Sequence, residues 1–368
     1  MEKQHLTYFK IENFKRFDSF EMSNLGQFNL IVGDNNVGKT SVLEALTFDE
    51  EIDRLAHNYW TTFWDRGLTQ SSESDFSYKE IQQTHFWEAI FKKEGPIIIE
   101  ANGINLCLEL RPHQQLYEHE KATIKEAVVT VIPEQWLKLS KKHIDGTYRN
   151  WQLIAAYFEG SVVPNYNTFS LDSYVPFISA NMSYGPELIE MYYQFVNSNK
   201  IIRKEIENNL KLFIPKIEEI RPHKIGNSEV LGVILSDNNT LLPLTYFGDG
   251  TVKYVRLILE MLINQGRRLM LDEIGSGIHF TRLTSYWKSI IHLCSKYNVQ
   301  LFATTHSLEC QQAFIEALED TEMQQYQEDA RNISLIENKQ GEVKAVTYDF
   351  GQFEYALNIG FNTRGGAR

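Results

Sequence analysis

The stretch Ile31–Leu46, IVGDNNVGKTSVLEAL, decides the fold. It overlaps a short apolar run, Phe28–Val32, which is typical of a buried strand. The segment Gly33–Thr40 fits the pattern G-x-x-x-x-G-K-[ST] at every fixed position, and Ser41–Leu46 continues as an amphipathic helix. This order of strand, loop and helix predicts a loop that binds phosphate groups. A simple glycine-rich turn before a helix is the alternative, and the full match in context argues against it.

The residue types of this loop suit a nucleotide polyphosphate bound together with a divalent cation. Glycines let the backbone wrap closely around phosphates with its N–H groups. We expect Lys39 to contact the β- and γ-phosphates of ATP and Thr40 to offer its hydroxyl to Mg²⁺. The predicted ATP-binding residues of the loop are Gly33, Asn35, Asn36, Gly38, Lys39, Thr40 and Ser41.

Two further apolar runs end in polar residues that would complete this chemistry. Leu269–Leu271 leads into Asp272 and Glu273. We expect Asp272 to hold Mg²⁺, directly or through water, and Glu273 to act as the general base for the attacking water. Leu301–Ala303 is followed by His306, which would contact the γ-phosphate or that water. Alone, such residues are usually solvated or structural, but their order after a phosphate loop favours catalysis.

Composition limits the classes of function that remain. The chain has 368 residues, 43% of them hydrophobic, which allows a sizeable core. A net charge of −12 argues against a protein that coats nucleic acid over its whole surface. Cys107, Cys294 and Cys310 lack metal-ligand spacing and are predicted to be buried thiols. No signal-like segment and no apolar run of membrane length is present, so a cytoplasmic protein without membrane contact is expected.

These motifs resemble the ATPases of the ABC/SMC/RecF/OLD superfamily, and are closest to the AAA15-like ATPases. The resemblance extends beyond the phosphate loop to the family's first strand and turn, its signature segment, its Walker B motif with the D-loop, and its histidine switch. In this chain these are Phe9–Phe17 (FKIENFKRF), Phe247–Thr251 (FGDGT), Asp272–His279 (DEIGSGIH) and Ala303–Ser307 (ATTHS).

The resemblance implies a homodimer, or a larger assembly, that forms around ATP. In that superfamily the signature segment of one head faces the phosphate loop of the other, which assigns Gly248, Asp249 and Gly250 to the nucleotide of a second chain. Gly248 stands where a serine is common, so only backbone N–H groups could meet a phosphate there. A simple helix-start turn is the alternative. A Q-loop glutamine stays open among Gln82, Gln83 and Gln114.

The predicted fold class is α/β, an ABC-type P-loop ATPase head with a mixed sheet, flanking helices and a largely helical insertion lobe. Within the insertion, a hairpin turning at Asn102-Gly103 and a helical stretch, Pro186–Leu210, are predicted. The acidic, aromatic stretch 48–93 is predicted to form either part of the core or a surface for self-association. The predicted divisions are a head of residues 1–47 and 244–350, an insertion of residues 48–243 with further head strands at about 96–132 and 229–243, and a tail of residues 351–368.

The resemblance also implies a function for hydrolysis. AAA15-like ATPases work in bacterial anti-phage, toxin–antitoxin-like modules, in which the ATPase senses a foreign trigger and controls a separate effector such as a nuclease or toxin. Only short strands, Ile333–Glu337 and Glu342–Thr347, are predicted after the histidine switch, so a recognisable second catalytic module such as a nuclease is not expected. Two alternatives remain: a RecF-like DNA-repair ATPase that binds DNA directly, and a non-hydrolysing scaffold, against which Glu273 and His306 count.

Overall fold

The computed structural model of the chain describes residues 5–49, 54–55, 58, 90–124, 133–142, 147–158, 161–164, 177–180, 185, 187–226 and 228–360. Most of the aromatic stretch 48–93, the possible Q-loop residues Gln82 and Gln83, and the predicted strand at residues 127–132 lie outside these residues. Gln114 lies on a short 3₁₀ helix, His113–Gln115. In the described part, no helix is long and apolar enough to cross a bilayer.

Strands and helices alternate along the described part of the chain. The strands are β1 (Tyr8–Phe14), β2 (Phe17–Ser23), β3 (Phe28–Gly33), β4 (Ile97–Ala101), β5 (Ile104–Pro112), β6 (Gln135–Lys142), β7 (Tyr148–Phe158), β8 (Ser161–Pro164), β9 (Phe177–Ile178), β10 (Ile217–Ile225), β11 (Ser228–Leu235), β12 (Asn238–Pro243), β13 (Arg268–Leu271), β14 (Gln300–Thr304), β15 (Ala330–Glu337) and β16 (Val343–Asp349). The helices are α1 (Lys39–Ala45), α2 (Glu118–Lys121), α3 (Glu187–Phe195), α4 (Lys200–Leu210), α5 (Asp249–Ile263), α6 (Leu283–Lys296), α7 (Leu308–Glu319) and α8 (Phe350–Asn358).

A six-stranded sheet with the order β16-β15-β3-β14-β13-β9 positions the site. All its neighbouring strands pair in parallel except β15 and β16. Because β3, β13 and β14 run in the same direction, their carboxyl ends meet at one edge. The three predicted motifs follow these three strands, so the fold brings the motifs together. The α/β class with a mixed sheet is thus confirmed.

Alternation along the parallel strands divides the core into two layers. On β3, Leu30 packs in a cluster with α5, α6 and α7, whereas its neighbour Ile31 packs in a cluster with α1 and the second sheet. On β14, Leu301 and Phe302 divide in the same way. Successive side chains of a strand point to opposite faces, so the six-stranded sheet is covered on both sides.

The second sheet is seven-stranded and antiparallel, with the order β2-β1-β4-β5-β6-β7-β8. The predicted hairpin is confirmed: β4 and β5 are joined at Asn102 (φ 43°) and Gly103 (φ 84°). Side chains on β4 are buried at Ile97, Ile99 and Ala101, which is the period of two that favours a strand. This sheet covers α1 and one face of the six-stranded sheet.

The insertion differs from the expected largely helical lobe. Within its described residues strands predominate, since β4–β8 extend the antiparallel sheet and β10-β11-β12 form a third sheet. Its longest described helices are α3 and α4, into which the predicted single stretch Pro186–Leu210 divides. The second helix has its own start because Asn199 caps it, with a side chain that accepts hydrogen bonds from the N–H groups of Ile201 and Ile202. After β16, α8 packs back with Phe353 buried.

Candidate active site

The predicted phosphate loop connects β3 to α1. Lys39 is buried, and its Nζ donates hydrogen bonds to the carbonyl oxygens of Gly33 (2.9 Å) and Asp34 (3.0 Å). Burial lowers the pKa of Lys39, while neighbouring carboxylates oppose that shift. The ammonium group is therefore held inside the loop, in surroundings where a further negative partner would be favourable.

The two fixed glycines of the loop are required by close packing. A Cβ at Gly38 (φ 103°) would lie 2.7 Å from Cδ of Arg16, and one at Gly33 would lie 2.8 Å from Cγ1 of Val37. Between them, residues 34–36 are exposed, and Asn36 adopts a left-handed φ of 64°. The loop is thus narrow, and its exposed part can present backbone N–H groups to an anion.

Three side chains join the loop to the ends of β13 and β14. Oγ1 of Thr40 donates to Oδ2 of Asp272 at 3.1 Å. The other carboxylate oxygen, Oδ1, accepts from Oγ1 of Thr304 at 2.6 Å. Asp272 itself is only 8% exposed. Two residues predicted to share a metal ion are therefore in direct contact, although 232 positions separate them in sequence.

The two predicted catalytic residues also touch. Oε2 of Glu273 lies 2.7 Å from Nδ1 of His306, and the backbone N–H of Glu273 donates to Oγ1 of Thr304 at 2.9 Å. Glu273 has a φ of 50°, which is uncommon for a residue with a side chain and is typical of strain kept at functional sites. The imidazole thus contacts the carboxylate directly, so His306 can orient Glu273 in addition to meeting a substrate.

A buried lysine from α5 lies behind this turn. Nζ of Lys253 donates to the carbonyl oxygens of Asp272 (3.1 Å) and Glu273 (2.7 Å), and the residue is 4% exposed. Burial lowers its pKa to about 8. The Asp272–Glu273 turn is therefore held in two ways. Its side chains contact Thr40, Thr304 and His306, and its backbone carbonyl oxygens accept hydrogen bonds from the ammonium group of Lys253.

The predicted signature segment packs against the D-loop of the same chain. Gly248 (φ 88°) precedes α5, which begins with Asp249 and Gly250. A Cβ at Gly250 would lie 2.2 Å from the carbonyl oxygen of Gly277, so glycine at 250 has a sufficient reason within one chain. Gly248 is different, because a Cβ there would meet nothing within 4 Å. Gly248 and Asp249 are exposed.

An open groove of about 640 Å³ lies beside the loop. Arg16, from the turn between β1 and β2, donates one guanidinium bond to the carbonyl of Asn36 and another to Oε1 of Glu337 at 2.7 Å. The groove is lined by three segments: the loop (Asn36, Gly38, Ser41), the β1–β2 region (Lys15, Arg16, Asp18) with Lys92, and the β15–β16 turn (Glu337, Gln340, Gly341, Glu342). Its polar lining and its place next to the phosphate loop suit the ribose and base of a nucleotide.

The donor set fits a magnesium ion held together with a nucleotide. Thr40 and Asp272 supply oxygen ligands, which Mg²⁺ prefers. In the part of the chain that the structure describes, no group of three or more His, Cys, Asp or Glu side chains is arranged to hold a metal. Mg²⁺ commonly takes one or two protein ligands and completes its shell with phosphate oxygens and water. The arrangement therefore suits that mode and not a cage made only of protein.

Family models match this chain in two parts. A model described as "AAA ATPase domain" matches residues 5–92, and one described as "AAA domain, putative AbiEii toxin, Type IV TA system" matches residues 135–309. A curated relative from Helicobacter pylori, named "ATP/GTP phosphatase", is 25% identical over 338 residues, which cover 84% of this chain and 86% of the relative. The chain is a P-loop ATPase.

Two solved structures are similar to this ATPase over most of its length. An SMC head bound to the C-terminal winged-helix domain of ScpA is 10% identical with a TM-score of 0.47, over 96% of this chain and all of that one. The SMC head domain from Thermotoga maritima is 13% identical with a TM-score of 0.42, over 94% of this chain and all of that one. Both TM-scores are below 0.5.

Three site residues of this ATPase were missed in the sequence. Thr304 binds the carboxylate of Asp272 and the backbone N–H of Glu273, and the signal was its place at the end of an apolar strand. Lys253 stood as one of two cations within the apolar pattern VKYVRLILEML. Arg16 lay in the FKRF turn, far from the loop in sequence but in contact with it. Each lacks a local spacing rule, because its role depends on pairing between distant segments.

Proposed function

We propose that this ATPase hydrolyses Mg²⁺-bound ATP at the edge formed by β3, β13 and β14. The observation that carries the proposal is the unbroken chain of contacts from Thr40 to His306, through Asp272, Thr304 and Glu273. This chain links a phosphate loop, two metal-ligand oxygens and a carboxylate able to accept a proton. Such an order supplies the parts needed for phosphoryl transfer to water.

Each residue has a defined task in the proposed reaction. Lys39 moves its ammonium from the loop carbonyls to phosphate oxygens and stabilises their charge. Thr40 and Asp272 hold Mg²⁺, which supplies Lewis-acid stabilisation of the phosphates when it is bound. Glu273 accepts a proton from the attacking water. His306 holds the Glu273 carboxylate in place through the 2.7 Å contact.

The metal assignment is tested by the Mg²⁺ dependence of turnover. Thr40→Val keeps the shape of the side chain and removes the hydroxyl ligand, so half-maximal activity should require about 10–100-fold more Mg²⁺. Thr47→Val is the matched control, since Thr47 donates to the carbonyl of Glu44 outside the site. An unchanged Mg²⁺ requirement in Thr40→Val would remove Thr40 from the metal site.

We also propose that the nucleotide is shared between two copies of the chain. Support comes from the exposed backbone at Gly248 and Asp249, and from two exposed aromatic residues beside the segments that would meet the partner. Tyr246 is 74% exposed just before the signature segment, and Phe280 is 66% exposed just after the D-loop. Large exposed apolar side chains next to a polar site are typical of surfaces that associate.

A mixing experiment tests the shared site. Gly248→Glu places a negative side chain where a partner's phosphate would approach, and Gly248→Ala is the control because it shares the backbone strain without the charge. Gly248→Glu and Lys39→Ala should each be inactive alone. Mixed, they should recover activity, because one of the two composite sites is intact. Absence of recovery, when a tag pull-down shows that subunits exchange, would count against the shared site.

We infer that this ATPase regulates a separate effector protein in a bacterial toxin–antitoxin module. Its support is the match to a model whose description names a toxin and a Type IV TA system. The chain alone should not cut DNA in the presence of Mg²⁺. DNA cleavage that persists in Asp272→Ala from a clean preparation would contradict the need for a separate effector. Strong, salt-dependent DNA binding would instead favour the RecF-like alternative.

A further inference from the structure

The helix that starts at the signature segment also reaches the general base of the same chain. Lys253 lies three residues after Gly250 on α5 and is almost fully buried. Its Nζ donates to the carbonyl oxygens of Asp272 at 3.1 Å and Glu273 at 2.7 Å. These carbonyls belong to the residues proposed to hold the metal and to accept the proton. One side chain thus fixes the backbone of both.

The turn that Lys253 holds lies just beyond the paired residues of β13. The N–H groups of Asp272 and Ile274 donate to the carbonyl oxygens of Ile178 and Thr304, and Lys253 binds the carbonyl side of the turn. The ladder of β13 ends at Leu271, one residue before Asp272. Glu273 then takes a left-handed φ of 50°, and its carbonyl oxygen also accepts from the N–H of Ser276 at 3.0 Å. Backbone in a sparsely populated conformation persists only where its surroundings over-determine it. The ammonium of Lys253 supplies such a restraint from behind.

Burying this ammonium is unfavourable for folding alone. Desolvation is the main reason that its pKa is lowered to about 8, and carboxylates of the site offset it only in part. A methionine would fill a similar volume without a charge. A lysine at this position therefore needs an explanation other than packing.

We infer that Lys253 is a positioning residue, which holds the Asp272–Glu273 turn in its catalytic geometry from the signature helix of the same chain. The inference rests on the proposed role of Glu273 as general base. It also connects the start of α5 with the general base: a displacement of the helix start at Gly248 is transmitted through Lys253 to Glu273. A nucleotide bound at one site would thereby adjust the base of the other.

A second buried cation on the same helix provides a matched comparison. Arg256 lies one turn further along α5 and is also 4% exposed. It pairs with Glu187 of α3 at 2.7 Å and with Glu260 at 3.6 Å, and not with the turn after β13. Its removal leaves a buried carboxylate without its cation, which is destabilising. Substitutions of Lys253 and Arg256 therefore distinguish an effect on catalysis from an effect on stability at two buried cations of the same helix.

The experiment compares Lys253→Met with Arg256→Met in the full chain. For Lys253→Met we expect kcat to fall by about 10–100-fold, the size seen when groups behind a metal site are removed, with the KM for ATP and the unfolding midpoint close to wild type. Lys253→Arg, which keeps a cation and donors, should lose less. For Arg256→Met we expect a lower midpoint and an almost unchanged kcat per folded molecule. If Lys253→Met loses midpoint and activity together, as a packing role requires, the inference is overturned.

A double variant shows whether Lys253 acts through Glu273. In a Glu273→Gln background, Lys253→Met should reduce the residual rate by less than about threefold, because effects of residues that act as a unit do not add. A further loss as large as that in wild type would contradict positioning of the base. If Glu273→Gln alone leaves turnover unchanged, the proposed function fails. If Glu273→Gln loses turnover but Lys253→Met leaves turnover unchanged, this inference fails and the proposed function stands.

Discussion

The six-stranded and the seven-stranded sheets share a hydrophobic layer but carry chemistry very differently. In the first, β3, β13 and β14 run parallel, so the residues that follow them meet at one edge. In the second, every neighbouring pair is antiparallel, and consecutive strand ends alternate between opposite edges. Strand direction thus decides where polar groups can accumulate, whereas apolar content is similar in both sheets.

The difference extends to energetics. The parallel edge contains groups that are unfavourable to bury, such as Lys39 and Asp272, and a strained residue, Glu273. The antiparallel sheet buries apolar side chains such as Ile99 and Leu139 completely. We therefore expect substitutions in the antiparallel sheet to reduce stability with little effect on kcat. Substitutions at the parallel edge should reduce kcat with little effect on stability.

The largest expected effect on free energy lies in the antiparallel sheet. Leu139→Ala removes a fully buried side chain from β6 and should lower the free energy of unfolding by about 2–5 kcal/mol. The kcat of the remaining folded protein should not change. Denaturant unfolding and ATPase assays on the same samples measure both, with Lys141→Ala on the same strand as the control. A large fall in kcat would show that this sheet shapes the site.

The next effect tests the opposite case at the parallel edge. Lys39→Met removes the buried ammonium and should weaken ATP binding by about 1.5–3 kcal/mol, the usual contribution of a charged hydrogen-bonding group. Stability should stay the same or rise, because a desolvated charge is lost. Lys288→Met, at a half-exposed lysine paired with Asp320, is the control. Titration calorimetry measures the change in ATP affinity, and thermal unfolding measures the change in stability. A Lys39→Met protein that is less stable than wild type but binds ATP equally well would contradict the expected difference between the parallel edge and the antiparallel sheet.

A smaller effect concerns a buried carboxyl group away from the catalytic edge. Burial raises the pKa of Glu260 from 4.5 to about 7, and Arg256 opposes that shift. Between these two pH values the folded state holds more protons than the unfolded state, so this group makes stability fall as pH rises from about 4.5 to 7. Glu260→Gln should flatten that fall by on the order of 1 kcal/mol. An identical slope in both proteins would show that Glu260 does not titrate in this range.

The smallest effect concerns the groove wall. The pair between Arg16 and Glu337 is partly exposed, and such pairs contribute about 0.2–1 kcal/mol. Glu337→Gln should therefore change ATP affinity by no more than about fivefold and leave kcat unchanged. Glu328→Gln, at an exposed carboxylate that does not line the groove, is a suitable control. A loss of affinity as large as that of Lys39→Met would place Glu337 in direct contact with the nucleotide.

Much of the parallel edge could be predicted from sequence. The phosphate loop, Asp272, Glu273 and His306 each follow an apolar strand, and the rule that parallel strand ends meet placed them together. Contacts that depend on register or packing could not be predicted. Thr304 reaches Asp272 because β13 and β14 pair in one register, and Gly250 packs on Gly277 because a helix start meets a loop.

The insertion was harder to predict because its signals are weak and local. The hairpin at Asn102-Gly103 was evident from its turn residues, and the two strands β11 and β12 from their apolar runs. The extension of the seven-stranded antiparallel sheet by β6, β7 and β8 was not expected. Strand pairing over long distances leaves no spacing rule in one sequence, and QWLKLSKK in β6 has mixed polarity without the strict alternation that predicts a strand.

The most direct test of the central claim, that the parallel edge is a hydrolytic centre with Glu273 as its base, is single-turnover ATP hydrolysis by wild type and Glu273→Gln at saturating Mg²⁺. The substitution keeps the shape of the side chain and removes the proton acceptor. The rate should fall by about 10²–10⁴-fold while ATP affinity is retained, and Glu316→Gln, an exposed carboxylate on α7, should behave as wild type. Hydrolysis at the wild-type rate in Glu273→Gln would contradict the account.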